Sequence, residues 1–396
     1  MTTGRARVKT LTSTLRRRVR FLLYRVHSAW VLRDQRCAEA RASAESHVLL
    51  VRADLIGDFL LWAAAGQALA ACYRRMGWRI TLVVNQDCAA LAAAFEIADE
   101  VWPLDRSRFV GDPGYRAAFL RRIAQRGFAE ALQVAYSREA FIDDGLIGAS
   151  GAARRLSCSV ECYNIAAVDR ARSDATYTGH IQSRAGPCME LVRNAELTRA
   201  LGQTDFRAAV ARLPENSGLF PHELHGLRYV VLIPGASGAA KRWPATRFAA
   251  IGQRLAGHWA IVIAGGPDDV ELGREVAAEI GRPVIDLSGK TTLLQLAEVL
   301  RHASLVLGND SAAAHLGAVV GAPVVCIVGG WQPHRFMPYE VEVRDERPLP
   351  VAVGYPMECW GCNRNCIHPV HRDRALYCVD QVSLDAVWAA VSALAV

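Results

Sequence analysis

The stretch SLVLGNDSAAAHLGAVVGAP, from Ser304 to Pro323, restricts the fold of this chain more than any other. The apolar run at 305–307 predicts a buried parallel strand, and the small residues that follow predict a helix with Ser311 in its first turn. A helix that begins directly after a strand presents backbone N–H groups and a positive end, which favour an anion such as phosphate. The alternative is an ordinary strand–helix unit in which Asp310 caps the helix and His315 lies on a helix face.

Strands and helices alternate along most of the chain. In the first half, strands are predicted at 47–54, 79–85, 100–105, 130–137 and 153–159. A long helix within 179–202 is predicted to follow a loop that contains His180. In the second half, strands are predicted at 229–236, 260–266, 283–289, 305–307 and 323–330. This pattern predicts an α/β protein with two doubly wound parallel sheets of the Rossmann type.

The pattern also divides the chain into segments. The predicted segments are an N-terminal extension at 1–46, a first domain at 47–204, a Pro- and Gly-containing linker at 205–227 and a second domain at 228–396. The second domain includes a cysteine-rich segment at 355–380 and a final helix at 383–395.

Length and composition agree with an enzyme of this class. The 396 residues are enough for two domains with separate cores. We expect a soluble, cytoplasmic protein, because the sequence shows no uninterrupted apolar run long enough to span a bilayer and no typical signal peptide. Without a signal peptide, the eleven cysteines are expected to be thiols or metal ligands rather than disulfides.

The extension at 1–46 carries much of the positive charge. Arginines between Arg16 and Arg25 alternate with apolar residues and with Trp30, a pattern that predicts a basic amphipathic helix on an anionic surface such as the inner membrane. The alternative is a solvated leader helix packed on the first domain. Nucleic acid is not an expected partner, because nothing else in the chain supplies a base-reading module.

A carboxylate follows the first predicted strand. The turn Gly57-Asp58 places Asp58 near the carboxyl end of that strand, where ligands bind in open α/β sheets. The alternative is that Asp58 caps the helix predicted from about residue 60.

Four motifs occur in a fixed order along the chain: VRADLIGDFLLW, IPGASGAAKRWP, AGGPDD and NDSAAAHLGAVVGAPVV. Together they resemble glycosyltransferase family 9, the heptosyltransferases and their relatives, over about residues 47–340. The resemblance implies the GT-B fold, in which two Rossmann-like domains face a cleft. It also implies that the domain at 47–204 binds the acceptor and that the domain at 228–396 binds the nucleotide-sugar donor.

The resemblance assigns roles to particular residues. Asp58 falls at the Gly-Asp carboxylate of the family, the general base. Lys241 falls at the phosphate-binding lysine before Trp-Pro, and Ser237 at a hydroxyl that contacts the diphosphate. Asp268 is the candidate for the acidic residue that holds the nucleotide ribose.

The last motif corresponds to the Asp-Ser/Thr-Gly-x-x-His sequence of the family at the donor diphosphate. Asp310, Ser311 and His315 occupy its Asp, Ser and His positions. Ala312 replaces the glycine, which keeps a backbone N–H group but makes close approach of the donor harder.

The expected reaction follows from these groups. A base must deprotonate the acceptor hydroxyl and cationic groups must stabilise the diphosphate leaving group. A single carboxylate base implies direct displacement and inversion at the anomeric carbon. The sequence shows no convincing Asp-x-Asp pair for a divalent cation, so we expect no cofactor for the chemistry. The expected donor is a nucleotide-diphospho-sugar such as ADP-heptose, and the expected acceptor is a cell-envelope glycan such as lipopolysaccharide core, or a protein.

A cysteine cluster near the C-terminus follows the motifs. The spacing of Cys359, Cys362, Cys366 and Cys378 suits a structural zinc or iron ion with four thiolate ligands. His368 and His371 are possible substitutes for one ligand. Protein-heptosylating relatives of the family carry a similar cysteine finger with bound iron. The alternative is a loop with reactive or disulfide-bonded cysteines.

Two other functions remain open at this point. One is a nucleotide-sugar epimerase or hydrolase on the same scaffold, although the sequence lacks an additional set of acidic residues and histidines for that chemistry. The other is a non-catalytic assembly protein, which the presence of both Asp58 and Lys241 argues against.

Overall fold

The computed structural model of the protein describes residues 46–159, 165, 167–184, 186–363 and 365–394. The amphipathic helix predicted within residues 1–46 therefore lies outside the described residues, apart from Ser46.

The first sheet has six strands, all paired in parallel, in the order β3-β2-β1-β4-β5-β6. Its strands are β1 His47–Arg52, β2 Arg79–Asn85, β3 Glu100–Leu104, β4 Glu130–Gln133, β5 Arg154–Ser159 and β6 Gly179–Gln182. The helices of this part of the chain are α1 Ile56–Arg75, α2 Ala89–Ala94, α3 Arg106–Gly111, α4 Pro113–Arg126, α5 Asp143–Ala149 and α6 Ala167–Asp174. The central strands β1 and β2 are mostly apolar, and every residue except Arg79 at the start of β2 is buried, as expected for a parallel sheet covered on both faces.

The second sheet also has six parallel strands, in the order β12-β11-β10-β7-β8-β9. Its strands are β7 Tyr229–Ile233, β8 Ala260–Ile263, β9 Val284–Asp286, β10 Leu305–Asn309, β11 Val324–Val328 and β12 Val351–Gly354. The remaining helices are α7 Glu190–Ala200, α8 Ala245–Leu255, α9 Val270–Ile280, α10 Leu293–Arg301, α11 Ala312–Val320, α12 Tyr377–Asp380 and α13 Leu384–Leu394.

Both sheets share one topology. Each sheet begins with an internal strand, β1 or β7, and the strand order reverses beside it at β4 or β10. Ligands of open α/β sheets bind at such switch points, beyond the carboxyl ends of the strands. In the second sheet the relevant loops are therefore those that follow β7 and β10.

The chain packs into two compact units. The first takes in residues 46–54, 69–89 and 97–183, and the second takes in Leu55–Ala68, Ala90–Glu96 and the chain from Arg184 onward. Helix α1 thus contributes residues 56–68, the larger part of its length, to the second unit, because those residues pack there. The predicted boundaries at 47–204, 205–227 and 228–396 follow chain order instead, and they stay predictions.

Several local predictions are wrong. Helix α1 begins at Ile56, so Asp58 lies in its first turn and not in a turn before it. Residues 179–182 form β6, which pairs with β5, so His180 lies on a strand and the helix that follows starts only at Glu190. Strand β4 ends at Gln133, four residues earlier than predicted. Strand β12 is absent from the prediction altogether.

Helix α1 is the one described helix that is long and apolar enough to cross a membrane by length and composition, although no such run was expected. More than half of its apolar window, 56%, is buried within the protein. A core helix of a soluble protein meets the same criteria, so the finding is weak evidence for a membrane span.

Candidate active site

The loops after β7 and β10 are tied together by Asn309, the last residue of β10. Its side chain is fully buried, and Nδ2 donates a hydrogen bond of 2.8 Å to the carbonyl oxygen of Pro234. Its Oδ1 accepts a hydrogen bond of 3.0 Å from the backbone N–H of Trp243. One amide therefore fixes both loops at the switch point of the second sheet. Asn309 was not among the predicted site residues. Its signal in the sequence is that a polar residue ends an apolar strand.

Asp310 and Ser311 connect β10 to α11. The backbone N–H of Asp310 still donates to Ile327 of β11, at 2.9 Å. Ser311 is the N-terminal capping residue of α11, and its side chain makes no capping hydrogen bond. Ser311, Ala312 and Ala313 are only half-buried, so the first turn of this nine-residue helix is open to a ligand. This arrangement has the form of the predicted anion site, with Ser311 and not Asp310 at the capping position.

Lys241 lies beside the start of α11. It ends a short 3₁₀ turn, Ala239–Lys241, and its Nζ lies 3.6 Å from Oδ2 of Asp310 and 3.4 Å from the Asp310 carbonyl oxygen. The same ammonium lies 4.4 Å from the ring centre of Trp331, close enough for a cation–π interaction. The structure thus brings together Lys241, Asp310 and Ser311, although Lys241 precedes Ser311 by 70 positions in the sequence.

His315 lies on the buried face of α11. It is 3% exposed, its Nδ1 lies 2.8 Å from the hydroxyl of Tyr339, and the two rings are stacked with an angle of 14° between their planes. Burial lowers the pKa of His315 to about 4, and Lys241 acts in the same direction, whereas Asp310 opposes the shift. The imidazole is therefore neutral at neutral pH and can accept or donate one hydrogen bond at each nitrogen.

The amino-terminal end of α1 packs on this histidine within the second unit. A Cβ atom at Gly57 would lie only 3.0 Å from Cδ2 of His315 and 3.8 Å from the Cα of Ala312. Because the backbone of Gly57 comes this close, the first turns of α1 and α11 lie side by side. Asp58, which is half-buried, follows Gly57 directly and so belongs to the same region as the start of α11.

The two remaining donor-site candidates are both exposed. Ser237 lies in the loop after β7, and Asp268 lies in a short 3₁₀ turn, Pro267–Asp269. The neighbouring Asp269 is the carboxylate that reaches the β7 loop: it lies 3.3 Å from Nη2 of Arg242, which also donates to the carbonyl oxygen of Ala236. The roles assigned to Ser237 and Asp268 stay predictions.

The four cysteines of the C-terminal cluster surround one cavity of about 190 Å³ in the second unit. Cys359, Cys362, Cys366 and Cys378 all line it. Cys378 is buried, and its sulfur accepts a hydrogen bond of 3.4 Å from the backbone N–H of Gly330. Burial raises the pKa of the Cys378 thiol, whereas a bound metal ion would favour the thiolate.

His368 lines the same cavity. Its Nε2 is buried and has no hydrogen-bond partner, and its ring stacks on Tyr377 with ring centres 4.4 Å apart. Four thiols and an unpaired imidazole nitrogen around one cavity are the donor set that zinc or iron prefers, so the residues fit a metal. Thiolates around zinc lie about 3.8 Å apart, given a Zn–S distance of about 2.3 Å.

A second group of metal-ligand side chains was not predicted. Potential ligand atoms of Glu215, Glu298 and His302 lie within 4.8 Å of one another. Glu298 is buried, but it already pairs with Arg301 at 3.1 Å and accepts a hydrogen bond of 3.1 Å from the backbone N–H of Asn216. These bonds give Glu298 a structural role in holding the chain before β7.

Comparison with known proteins identifies the family that this chain resembles. Residues 187–346 match the model of glycosyltransferase family 9 (heptosyltransferase). Lipopolysaccharide heptosyltransferase 3 of Escherichia coli is 33% identical over 134 residues, which are 32% of this chain and 39% of that protein. The chain thus spans well under half of the length of this curated relative. The matches confirm the resemblance to family 9 that the motifs predicted.

Solved structures confirm the fold class. The structure of E. coli ADP-heptose lps heptosyltransferase II has a TM-score of 0.62 at 17% identity, over 88% of this chain and 98% of that chain. The iron-containing dodecameric glycosyltransferase TibC of enterotoxigenic E. coli has a TM-score of 0.52 at 17% identity, over 89% of this chain and 76% of that chain. At this identity the likeness shows the fold alone, which is the predicted α/β class with two doubly wound parallel sheets.

Proposed function

We propose that this chain, which resembles glycosyltransferase family 9, is an inverting glycosyltransferase. It transfers a sugar from a nucleotide-diphospho-sugar such as ADP-heptose to a cell-envelope glycan such as lipopolysaccharide core, or to a protein. The family match and the heptosyltransferase relatives support the donor class. The observation that carries the proposal is the meeting of the Lys241 ammonium, the open first turn of α11 and the first turn of α1 around His315.

The start of α11 and Lys241 would hold the diphosphate of the donor. Backbone N–H groups of Ala312 and Ala313 and the positive end of the helix favour the phosphate oxygens. The Lys241 ammonium adds a full positive charge, and Asp310 keeps this ammonium in place. These groups stabilise the nucleoside diphosphate as the bond to the sugar breaks, because negative charge develops on the leaving oxygen. The hydroxyls of Ser237 and Ser311 would donate further hydrogen bonds.

Asp58 would act as the general base. As the acceptor oxygen forms its bond to the anomeric carbon, the Asp58 carboxylate takes the proton of the acceptor hydroxyl, and the diphosphate leaves with the electron pair of the broken bond. Attack opposite to the leaving group inverts the anomeric configuration. Asp268 would bind the ribose hydroxyls of the donor.

The chemistry uses no cofactor in this proposal. The cysteine cluster would hold a structural zinc or iron ion through Cys359, Cys362, Cys366 and Cys378, with His368 as a further candidate ligand. The shared cavity and the buried, unpaired Nε2 of His368 support this assignment. The iron-containing glycosyltransferase TibC, which shares the fold, supports iron as one candidate.

We place the reaction in the cytoplasm, at the inner face of the membrane. The similarity to a lipopolysaccharide heptosyltransferase supports a lipopolysaccharide acceptor. The basic extension at 1–46 would bind the anionic lipid surface.

A ligand screen followed by a transfer assay tests the proposal. The melting temperature should rise with ADP-heptose, and rise less with UDP- and GDP-sugars, because a ligand that binds only the folded state stabilises it. The protein should then transfer heptose to a core oligosaccharide with one product anomer of opposite configuration to the donor. Release of free heptose, or a change of sugar configuration without an acceptor, would instead identify a hydrolase or an epimerase.

A further inference from the structure

A second cavity in the second unit, of about 320 Å³, adjoins the proposed donor site. It is lined by Asp310, Trp331, Gln332, His334, Phe336 and Trp360, with further apolar residues around them. Its volume lies at the lower end of the range for small-molecule pockets, about 300–1,000 Å³. Asp310 connects the two sites, because it also contacts Lys241.

Trp360 forms part of this cavity through a close fit to two glycines. A Cβ atom at Gly330 would lie 2.5 Å from Cε3 of the indole, and a Cβ atom at Gly354 would lie 2.8 Å from Cη2. The indole therefore rests on backbone that only glycine leaves open, at the carboxyl ends of β11 and β12.

The loop that carries Cys359 and Cys362, here called the cysteine loop, holds Trp360 in this position. Trp360 stands between Cys359 and Cys362, and the backbone N–H of Gly361 donates to the carbonyl oxygen of Gly330 at 2.7 Å. Asn363 donates from its backbone N–H to the carbonyl oxygen of Trp331, also at 2.7 Å, and its side chain accepts a hydrogen bond of 2.9 Å from Gln332. The loop is thus hydrogen-bonded to the segment that carries the other aromatic wall.

The lining combines flat apolar surfaces with a few polar groups. Trp331, Phe336 and Trp360 provide aromatic faces, while Asp310, Gln332 and His334 provide hydrogen-bonding groups. A pyranose ring matches this combination, since its C–H faces pack on aromatic rings and its hydroxyls bond to carboxylate, amide and imidazole groups at the edge.

We propose that this cavity binds a sugar ring, with Trp360 as the stacking platform. This assignment rests on the proposed function and adds a sugar subsite to it. The ring belongs either to the donor, as the transferred glycosyl group, or to the acceptor, as its terminal sugar. The cysteine loop would then act in sugar binding by positioning Trp360, rather than through contact with the phosphates.

Calorimetry with three ligands tests this assignment. ADP, ADP-heptose and a heptose-containing core oligosaccharide would be titrated into the wild type and into Trp360→Ala, with Trp388→Ala as a matched control in α13, away from the cavity lining. Trp360→Ala should leave the affinity for ADP unchanged and weaken binding of one sugar ligand at least tenfold. Weaker ADP-heptose binding identifies the donor sugar, and weaker oligosaccharide binding identifies the acceptor.

Gly354→Ala is a second variant, which keeps the indole but displaces it from the cavity wall. It should leave the affinity for ADP unchanged and weaken binding of the same sugar ligand by a smaller factor than Trp360→Ala does. Thermal unfolding would establish that each variant is folded. The sugar subsite is refuted if folded Trp360 and Gly354 variants bind all three ligands as the wild type does. That outcome would leave the proposed function intact, whereas a wild type that neither binds nor transfers from ADP-heptose would refute the proposed function itself.

Discussion

Gly57 packs directly on the imidazole of His315, so closely that a Cβ atom at Gly57 would lie 3.0 Å from Cδ2 of the ring. The residues are 258 positions apart in sequence, counting from 57 to 315. Their contact places the first turn of α1, with Asp58, beside the helix that begins at Ala312. A proposed base and a proposed phosphate site thus come from the first turns of two adjacent helices.

Asp58→Asn should lower turnover by roughly 10²–10⁴-fold and leave the affinity for ADP-heptose nearly unchanged, because the amide cannot take the acceptor proton. Steady-state kinetics and calorimetry would measure the two effects. Asp385→Asn is the matched control, since Asp385 also lies in the first turn of a helix but is largely exposed. If Asp58→Asn transfers sugar at the wild-type rate, Asp58 has only the role of a helix cap.

Lys241→Ala should weaken ADP binding about tenfold or more and slow transfer, because a charged contact to phosphate contributes about 1.5–3 kcal/mol. Calorimetry with ADP would measure the loss. Lys290→Ala is the control: its ammonium is exposed and donates to the carbonyl oxygen of Asp286 at 2.6 Å. Equal ADP affinities for the wild type and Lys241→Ala would exclude Lys241 from the phosphate site.

His315 should make stability depend on pH. Burial lowers its pKa from 6.5 to about 4, so the unfolded state takes up a proton first as the pH falls. The stabilisation is complete above pH 6.5 and is lost progressively between pH 6.5 and 4, with about 2 kcal/mol lost between pH 7 and 5. Urea unfolding at both pH values should show a smaller loss for His315→Gln than for the wild type.

The exposed His258 offers the matched control for this experiment. His258→Gln should keep the wild-type dependence of unfolding free energy on pH. A His315→Gln variant with the same dependence as the wild type would contradict the assignment of a buried neutral imidazole.

Metal removal should affect the cysteine cluster and leave the transfer reaction unchanged. Transfer should persist in a brief assay with EDTA, because no metal serves the donor in the proposed mechanism.

Elemental analysis should find about one zinc or iron ion per chain, and Cys359→Ser should abolish this metal content and lower the unfolding temperature. Cys72→Ser, in α1, should retain the metal. Immediate inactivation by EDTA that Mg²⁺ reverses would contradict the mechanism, and a metal-free active wild type would contradict the metal site.

The sequence predicted the parts of the fold that depend on local pattern. Buried parallel strands are continuous apolar runs, so β1, β2, β10 and β11 were found close to their true bounds. Strand β6 was missed because its sequence, Gly179 to Gln182, is half-buried at the edge of a sheet and has no apolar run. Strand β6 is defined by its pairing with β5, and the local sequence does not predict that pairing.

The site was predicted only in part for a similar reason. Motif likeness pointed to Lys241, Asp310 and Ser311, which the structure brings together. Asn309 and Tyr339 were missed, because each acts through a partner far away in the sequence: Asn309 through Pro234 and Tyr339 through His315. A single buried amide or phenol has no spacing pattern that would reveal such a partner.

Trp331 lies in the walls of both the cavity at the cysteines and the cavity at Asp310, with the Lys241 ammonium over its ring. Indole fluorescence responds to nearby charge and to exclusion of water. The protein therefore carries its own optical reporter at the boundary of the two cavities, and ligand entry on either side would alter its emission. Rapid-mixing fluorescence would record this change without a dye attached to the chain, as one contribution to the emission of nine tryptophans.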